Sequence, residues 1–281
     1  MNVYEVITTR IIELMQKGTV PWRQPWRGGN AAPRNLVSGK PYRGINVLML
    51  GCQGYTSPYW LTYNQAKERG GTVRKGEKGS PVVFYKTYED KDENNRFVLR
   101  YFTAFNAEQC DGIDYPKPER VKTAHERIEA CEAIVKGYRG PTIETGGRAC
   151  YSPLTDTVTV PSIDSFDRRE EYYSTLFHEL AHSTGAKHRL DREGITSGIV
   201  FGSHNYSYEE LIAECGAAFL CGATGIDTAT IDNSAAYLAS WIKKLKSEPQ
   251  WIVKASSAAA KAADLIRGIK AEVKALDQAA E

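Results

Sequence analysis

The sequence predicts an α+β protein built in two parts. Three observations carry that expectation: a charge split along the chain, a strand-pair pattern in the first half, and helical periodicity through most of the second. The 281 residues carry a net charge of +2, yet residues 1–88 hold 13 Lys and Arg against 4 Asp and Glu, and the remainder hold 23 against 30. A basic part joined to an acidic part predicts different partners for the two. The expected division is 1–115 and 122–281, across the polar, proline-bearing "CDGIDYPKPERVK" at 110–122.

In chain order, "NVYEVITTRIIELMQKG" places Val3, Ile7, Ile11 and Leu14 near helical spacing and stops at Gly18. "TVPWRQPWRGGNAAPRNLVSGKPYRG" reads as ordered loop. "LTYNQAKERGG" is a short helix with a Thr62–Gln65 capping box and Gly70 as its stop. "PVVFYKTY" and "FVLRYFTAF" flank a polar turn as a β-hairpin. Further on, "TAHERIEACEAIVKGY" is helical and "TDTVTVPS" alternates as a strand. "DRREEYYSTLFHELAHSTG" is a helix that Asp167 and Glu170 should start and Gly185 should stop. "SYEELIAECGAAFLCGATG" is a second, strongly apolar helix, and the Ala-rich C-terminal third stays helical to the end.

A hydrophobic content of 42% and a charged content of 25% fit a globular protein and exclude a disordered chain. The opening "MNVYEVITTR" lacks a basic segment followed by an apolar run, and "INVLML" at 45–50 is far too short to span a membrane. A cytoplasmic location with no membrane partner is therefore expected. The six cysteines include no C-x-x-C pair, which predicts reduced thiols rather than disulfides or a cysteine zinc site.

The sharpest motif is "TLFHELAHSTGAKH", 175–188. His178 and His182 lie four residues apart in a helix, so both imidazoles project from one face toward one ion. Glu179 is one step round, placed to take a proton from a water that the ion activates, the general-base arrangement of zinc peptidases. Two candidates compete for third ligand. His188 fits the metzincin spacing, but that class needs a methionine beneath the metal, and Met1, Met15 and Met49 all lie upstream. Glu210 and Glu214 stand one turn apart in an otherwise apolar helix, where buried carboxylates need a cation or a strong hydrogen bond. Glu210 is the expected ligand and Glu214 the carboxylate that holds a ligand histidine, although the two can trade roles. The bland alternative is a solvated helix end at Glu209 and Glu210, with Glu214 paired to an arginine. Two His and one Glu suit zinc, with manganese or another divalent ion as alternatives. The strand "TDTVTVP" is a candidate edge on which an extended peptide pairs, and Tyr206 and Tyr208 are candidate oxyanion donors.

The basic first part interleaves cations with aromatics: Trp22, Arg23, Trp26, Arg27, Arg34, Lys40, Tyr42, Arg43, Trp60, Arg74, Lys75 and Lys78. Cations neutralise phosphates and aromatic faces stack on exposed bases, so these residues predict a single-stranded DNA partner.

Taken together, "PWRQPW", "GKPYRGIN", "YWLTYNQAKERGGTVRKGEKGSPVVFY", "YSPLTDTVTVP", "YYSTLFHELAHSTG", "HRLDR" and "YEELIAECGAAFL" resemble the ArdC family of plasmid antirestriction proteins. The likeness runs in order through nearly the whole chain. It implies an N-terminal domain that binds single-stranded DNA and a mainly helical, zincin-like metallopeptidase domain after it. It also implies protection of incoming plasmid DNA from host restriction enzymes, and a relative of the N-terminal domain at the front of plasmid primases. The family's metal motif falls on His178, Glu179, His182 and Glu210. A host restriction enzyme or another DNA-bound protein is the partner expected of a peptidase in that setting.

Overall fold

The computed structural model describes residues 2–22, 32–89, 95–116, 123–197, 204–226 and 235–269. Arg23, Trp26 and Arg27 lie outside the described residues, as do the tip of the hairpin, part of the 110–122 boundary and the last turns expected of the C-terminal helix.

Helix α1 (Val3–Gln16) begins at an Asn2–Glu5 capping box and buries Ile7, Ile11, Ile12 and Met15. After β1 (Arg34–Asn35) and α2 (Ile45–Gly51) comes β2 (Tyr59–Thr62). It runs straight into α3 (Tyr63–Glu68), where the expected Thr62–Gln65 capping box forms and Gly70 closes the end at φ 77°. Strand β3 (Thr72–Val73) pairs with β6 (Cys110–Asp111), and between them lies the hairpin of β4 (Ser80–Glu89) and β5 (Asn95–Asn106). The main N-terminal sheet has the order β1-β2-β5-β4 and is antiparallel except at the β1–β2 pair.

Helix α4 (Ala124–Gly137) starts on a Thr123–Glu126 capping box and leads to β7 (Thr142–Thr145), β8 (Cys150–Ser152) and β9 (Thr157–Val160). Their order is β7-β9-β8, so the "TDTVTVP" strand is the centre of this sheet. That corrects the expectation of an edge. Its backbone is paired on both sides, its Val158 and Val160 are buried on the sheet face that packs against α5, and β8 is an edge instead. Four helices then follow α5 (Arg169–Ser183), namely α6 (Glu193–Thr196), α7 (His204–Thr224), α8 (Ala235–Ser247) and α9 (Trp251–Ile266). The expected start signal on α5 does not form: Arg168 is the N-cap and no side chain caps it. Gly185 does follow the end of α5, for reasons of packing rather than turning, since a Cβ there would meet Ile195 Cγ1 at 2.6 Å.

The largest core crosses the boundary read from the sequence. Ile7, Ile11, Met15, Trp22, Leu48 and Met49 pack in one cluster with Leu211, Cys215, Trp241, Leu245 and Ile252. A second cluster joins α4, the β8–β9 pair, α5 and α7. Helix α7 serves both, which explains why it is apolar all round instead of showing one apolar stripe. Among the described residues no helix is long and apolar enough to cross a membrane, and none of the six cysteines is joined in a disulfide.

Candidate metal centre

Helices α5 and α7 cross closely because Gly216 has no side chain; a Cβ there would stand 2.9 Å from that of Ala181. The crossing brings Glu210 onto the face of α5 that carries His178 and His182. The two Nε2 atoms are 3.1 Å apart, and Glu210 places Oε2 3.6 Å from that of His178 and Oε1 3.3 Å from that of His182. A tetrahedral ion with ~2.05 Å bonds spaces its ligands ~3.3 Å apart, and an octahedral one with ~2.2 Å bonds spaces neighbours ~3.1 Å apart. The donor set therefore fits a divalent ion of either geometry. Among the described residues it is the one group of three or more His, Cys, Asp or Glu side chains converging in this way.

The carboxylate behind His182 is Glu209. Its Oε1 lies 3.3 Å from His182 Nδ1, leaving Nε2 to face the centre. Glu209 is only 2% exposed, and Arg192 neutralises it through two bonds, Nε to Oε2 at 2.9 Å and Nη2 to Oε1 at 2.6 Å. The same guanidinium donates to Thr184 Oγ1 at 2.7 Å and to the Ala181 carbonyl at 2.9 Å, so one arginine ties the end of α5 to α7. Gly194 makes room, since a Cβ on it would come within 2.8 Å of that of Glu209. Burial pushes the Glu209 carboxyl up, but Arg192 and His182 outweigh it and hold it below the usual carboxylate range.

Two expected ligand-side residues lie elsewhere. Glu214 accepts from the Tyr237 hydroxyl at 3.1 Å, one turn further along α7 than the crossing with α5. His188 is exposed, with Nε2 3.5 Å from Asp156, beyond the loop that leaves α5. That loop is clamped by Arg189, which grips Asp156 at 2.8 and 2.6 Å.

Glu179 is 8% exposed and lines a cavity of about 240 Å³ together with the centre, Tyr206 and residues 148–151 leading into edge strand β8. Tyr206 hydrogen-bonds Glu210, and its hydroxyl pKa is raised by burial and by the charges of Glu210 and Glu179, so it stays a proton donor at neutral pH. Tyr208, two residues on and so on the opposite face of the helix, packs its ring against Trp251 and does not line the cavity.

Burial alone would push the enclosed His182 ring down, but Glu209 and Glu210 raise its pKa to about 10, and Glu210 is depressed in turn by the two imidazoles. With a folded pKa above the ordinary ~6.5 of imidazole, the protonated ring stabilises the metal-free protein fully below pH ~6.5. That contribution is lost as the pH rises through about 10. A metal ion needs the neutral ring, so metal uptake at pH 7 is expected to expel a proton and to strengthen as pH rises. Titration calorimetry in two buffers of different ionisation enthalpy measures this; identical heats in both contradict it.

The DNA-facing expectations divide. Trp22 and Trp60 are 1% and 2% exposed, edge-on to Trp241 and Tyr55 respectively. Large rings bury the most apolar area per residue, so both serve the core and neither can stack on a base. Arg74 is taken up by Glu77 at 2.8 Å, Asp111 at 3.6 Å and the Glu108 carbonyl at 2.6 Å, while Lys75 and Lys78 stay exposed beside it. Arg34, Lys40, Tyr42 and Arg43 are brought together on one loop.

The fold and this site define a protein that joins an α+β N-terminal unit to a zincin-like metallopeptidase unit. Residues 1–131 match the N-terminal domain of anti-restriction factor ArdC, and residues 129–258 match the zincin-like metallopeptidase family. The crystal structures of antirestriction ArdC protein from the R388 plasmid are 40% identical. The metal-free one aligns at a TM-score of 0.76 over 96% of this chain and 98% of that one, the Mn(II)-bound one at 0.78 over 98% and 100%. An uncharacterised Sinorhizobium fredii protein, y4eC, is 36% identical over 94% of this chain and 91% of its own length. The chain belongs to the ArdC family of antirestriction proteins. Two Escherichia coli proteins named DNA primase TraC are 38% and 37% identical across 94% of this chain, which spans only 20% and 27% of their length. The shared stretch takes in both parts of the chain, the N-terminal domain that the resemblance pointed to and the metallopeptidase part after it.

Proposed function

We propose that the chain is an antirestriction protein that binds single-stranded DNA, shields incoming plasmid DNA from host restriction enzymes in the cytoplasm, and keeps peptidase chemistry directed at a DNA-bound host protein. The carrying observation is Glu179, a carboxylate in the wall of the cavity that holds His178, His182 and Glu210. A site that only held a structural ion would need no such base. The R388 ArdC crystal structures support this, because the metal-free form resembles this chain as well as the Mn(II)-bound one does, so that relative keeps its fold without the ion.

Zinc is our choice of ion; bound at the three donors, it would polarise a peptide carbonyl and acidify a water. The chain's own residues do the rest. Edge strand β8, which has no strand on its outer side among the described residues, lies beside the cavity, and an extended peptide can pair against it. Glu179 accepts the proton of the attacking water and returns it to the leaving nitrogen. Tyr206 swings from Glu210 to donate to the oxygen on which charge develops. Glu209, held by Arg192, keeps His182 in the tautomer that presents Nε2.

The test is conjugative transfer into a restricting host with the wild type and Glu179→Gln at matched protein levels. Protection is expected to fall to that of a plasmid lacking the gene. Undiminished protection would sink the peptidase part and leave DNA occupancy as the whole mechanism.

A further inference from the structure

Two cavities of about 380 and 480 Å³ adjoin, sharing Pro41, Tyr42, Arg43, Gly44 and Ala260 in their walls. One wall is the loop 35–44, pinned at positive φ by Gly39 and Gly44 and held by Asn35 N–H to the Lys40 carbonyl at 2.9 Å and Tyr42 N–H to the Pro33 carbonyl at 2.8 Å. The other is helix α9 and the turn after it, where Ser257, Ala260, Lys261, Asp264 and Arg267 share a face at helical spacing. Arg34, Lys40, Arg43, Lys261 and Arg267 give this groove five cations against one carboxylate, Asp264, already engaged by Arg43. The Arg34 Nε is buried without a hydrogen-bond partner among the described residues. Tyr42, Phe84 and Tyr85 supply aromatic wall.

We infer that this groove is the track for a single DNA strand and that the C-terminal helix, through Lys261 and Arg267, provides two of its five cationic contacts to phosphate. This rests on the single-stranded DNA binding proposed above. Lys261 and Arg267 fall outside both matched family segments, 1–131 and 129–258, so the DNA surface does not end with the N-terminal domain. A row of cations beside aromatic faces suits a single strand, whose bases are free to stack, better than a duplex. Asp264 competes with phosphate for Arg43 and so tunes the affinity.

The track also runs clear of the metal. Glu210 and the groove residues Phe219, Gly222 and Ala223 sit on opposite faces of α7, about 14–20 Å apart along its axis at ~1.5 Å per residue. A strand in the groove leaves the peptidase cavity uncovered.

The experiment uses the full chain and a labelled oligothymidine of 20 nucleotides, with binding measured across a series of salt concentrations. Each single-strand phosphate contact contributes ~0.7 to the salt slope, so Lys261→Gln/Arg267→Gln should flatten it by about 1.4 and weaken binding about 25-fold at 0.1 M salt. Asp264→Asn should tighten binding several-fold. Lys136→Gln/Lys243→Gln makes the same charge change at two exposed positions outside the groove and should cost far less. Equal losses in the two double variants would reduce the effect to net charge and overturn the groove, as would wild-type binding by Lys261→Gln/Arg267→Gln. Failure of the wild type to bind the oligonucleotide at all would overturn the underlying reading along with it.

Discussion

Replacing Arg192 with methionine is expected to cost about 3–5 kcal/mol of stability, because it leaves a buried carboxylate without its main countercharge. Glu209 is 2% exposed and receives two of its bonds from that guanidinium, which also donates to Thr184 and to the Ala181 and His182 carbonyls at the end of α5. For a chain of this size the loss corresponds to a fall in melting temperature of roughly 6–20 °C. The identity of the mechanism is checked by the double variant Arg192→Met/Glu209→Gln, which removes both charges and should recover much of the loss. A single variant that melts like the wild type would show that the pair is solvated and unimportant. Metal affinity should drop as well, by ~10–100-fold, because Glu209 orients the His182 ring.

Removing Glu210 should act on the ion directly. The Glu210→Ala protein keeps the two imidazoles, which at 3.1 Å still share a face, but loses the anionic donor that lies 3.3 and 3.6 Å from them. The loss should exceed the ~100-fold ceiling of an outer partner. With the ion at about 100 times the wild-type Kd, the metal-linked stabilisation is about 2.7 kcal/mol, and a weakening of 100-fold or more removes most of it, so the rise in melting temperature on adding zinc or manganese should nearly vanish. Glu214→Ala, which touches Tyr237 and not the centre, should keep that rise. If the two variants respond alike, Glu210 is not a ligand.

How far the sequence carries such a reading depends on whether the cause is local. The capping boxes at Thr62 and Thr123, the hairpin and the shared face of His178 and His182 follow from spacings within a few residues, and all of them are legible. Glu210 was also legible, because a carboxylate in a nearly unbroken apolar run calls for a cation. Glu209 was not. Beside Glu210 it reads as a solvated helix end, and only the return of the "HRLDR" segment, with Arg192 at its close, buries it. Helical phase does separate Tyr206, three and four residues before the two glutamates, from Tyr208 on the far face, and that signal was available. The place of β9 within its sheet and the burial of Trp22 and Trp60 depend on partners distant in the chain. Composition shows that aromatics and cations alternate; it does not show which of them face water.

The core that α1 and Trp22 share with α7, α8 and α9 bears on how such a gene can be rearranged. Trp22 donates to the Tyr237 hydroxyl at 3.4 Å, and that hydroxyl donates to Glu214 at 3.1 Å, so the first helix region and the last third of the chain close one polar chain inside one apolar cluster. Recombination between the two family segments would split this cluster and expose Ile7, Ile11, Met15 and Trp22 on one piece and Leu211, Trp241 and Ile252 on the other. Neither piece could be spliced to a foreign partner without an open apolar wound. The heritable unit is therefore the pair. The two TraC primases, which carry counterparts of 94% of this chain within much longer proteins, are what that constraint looks like when the unit is grafted whole.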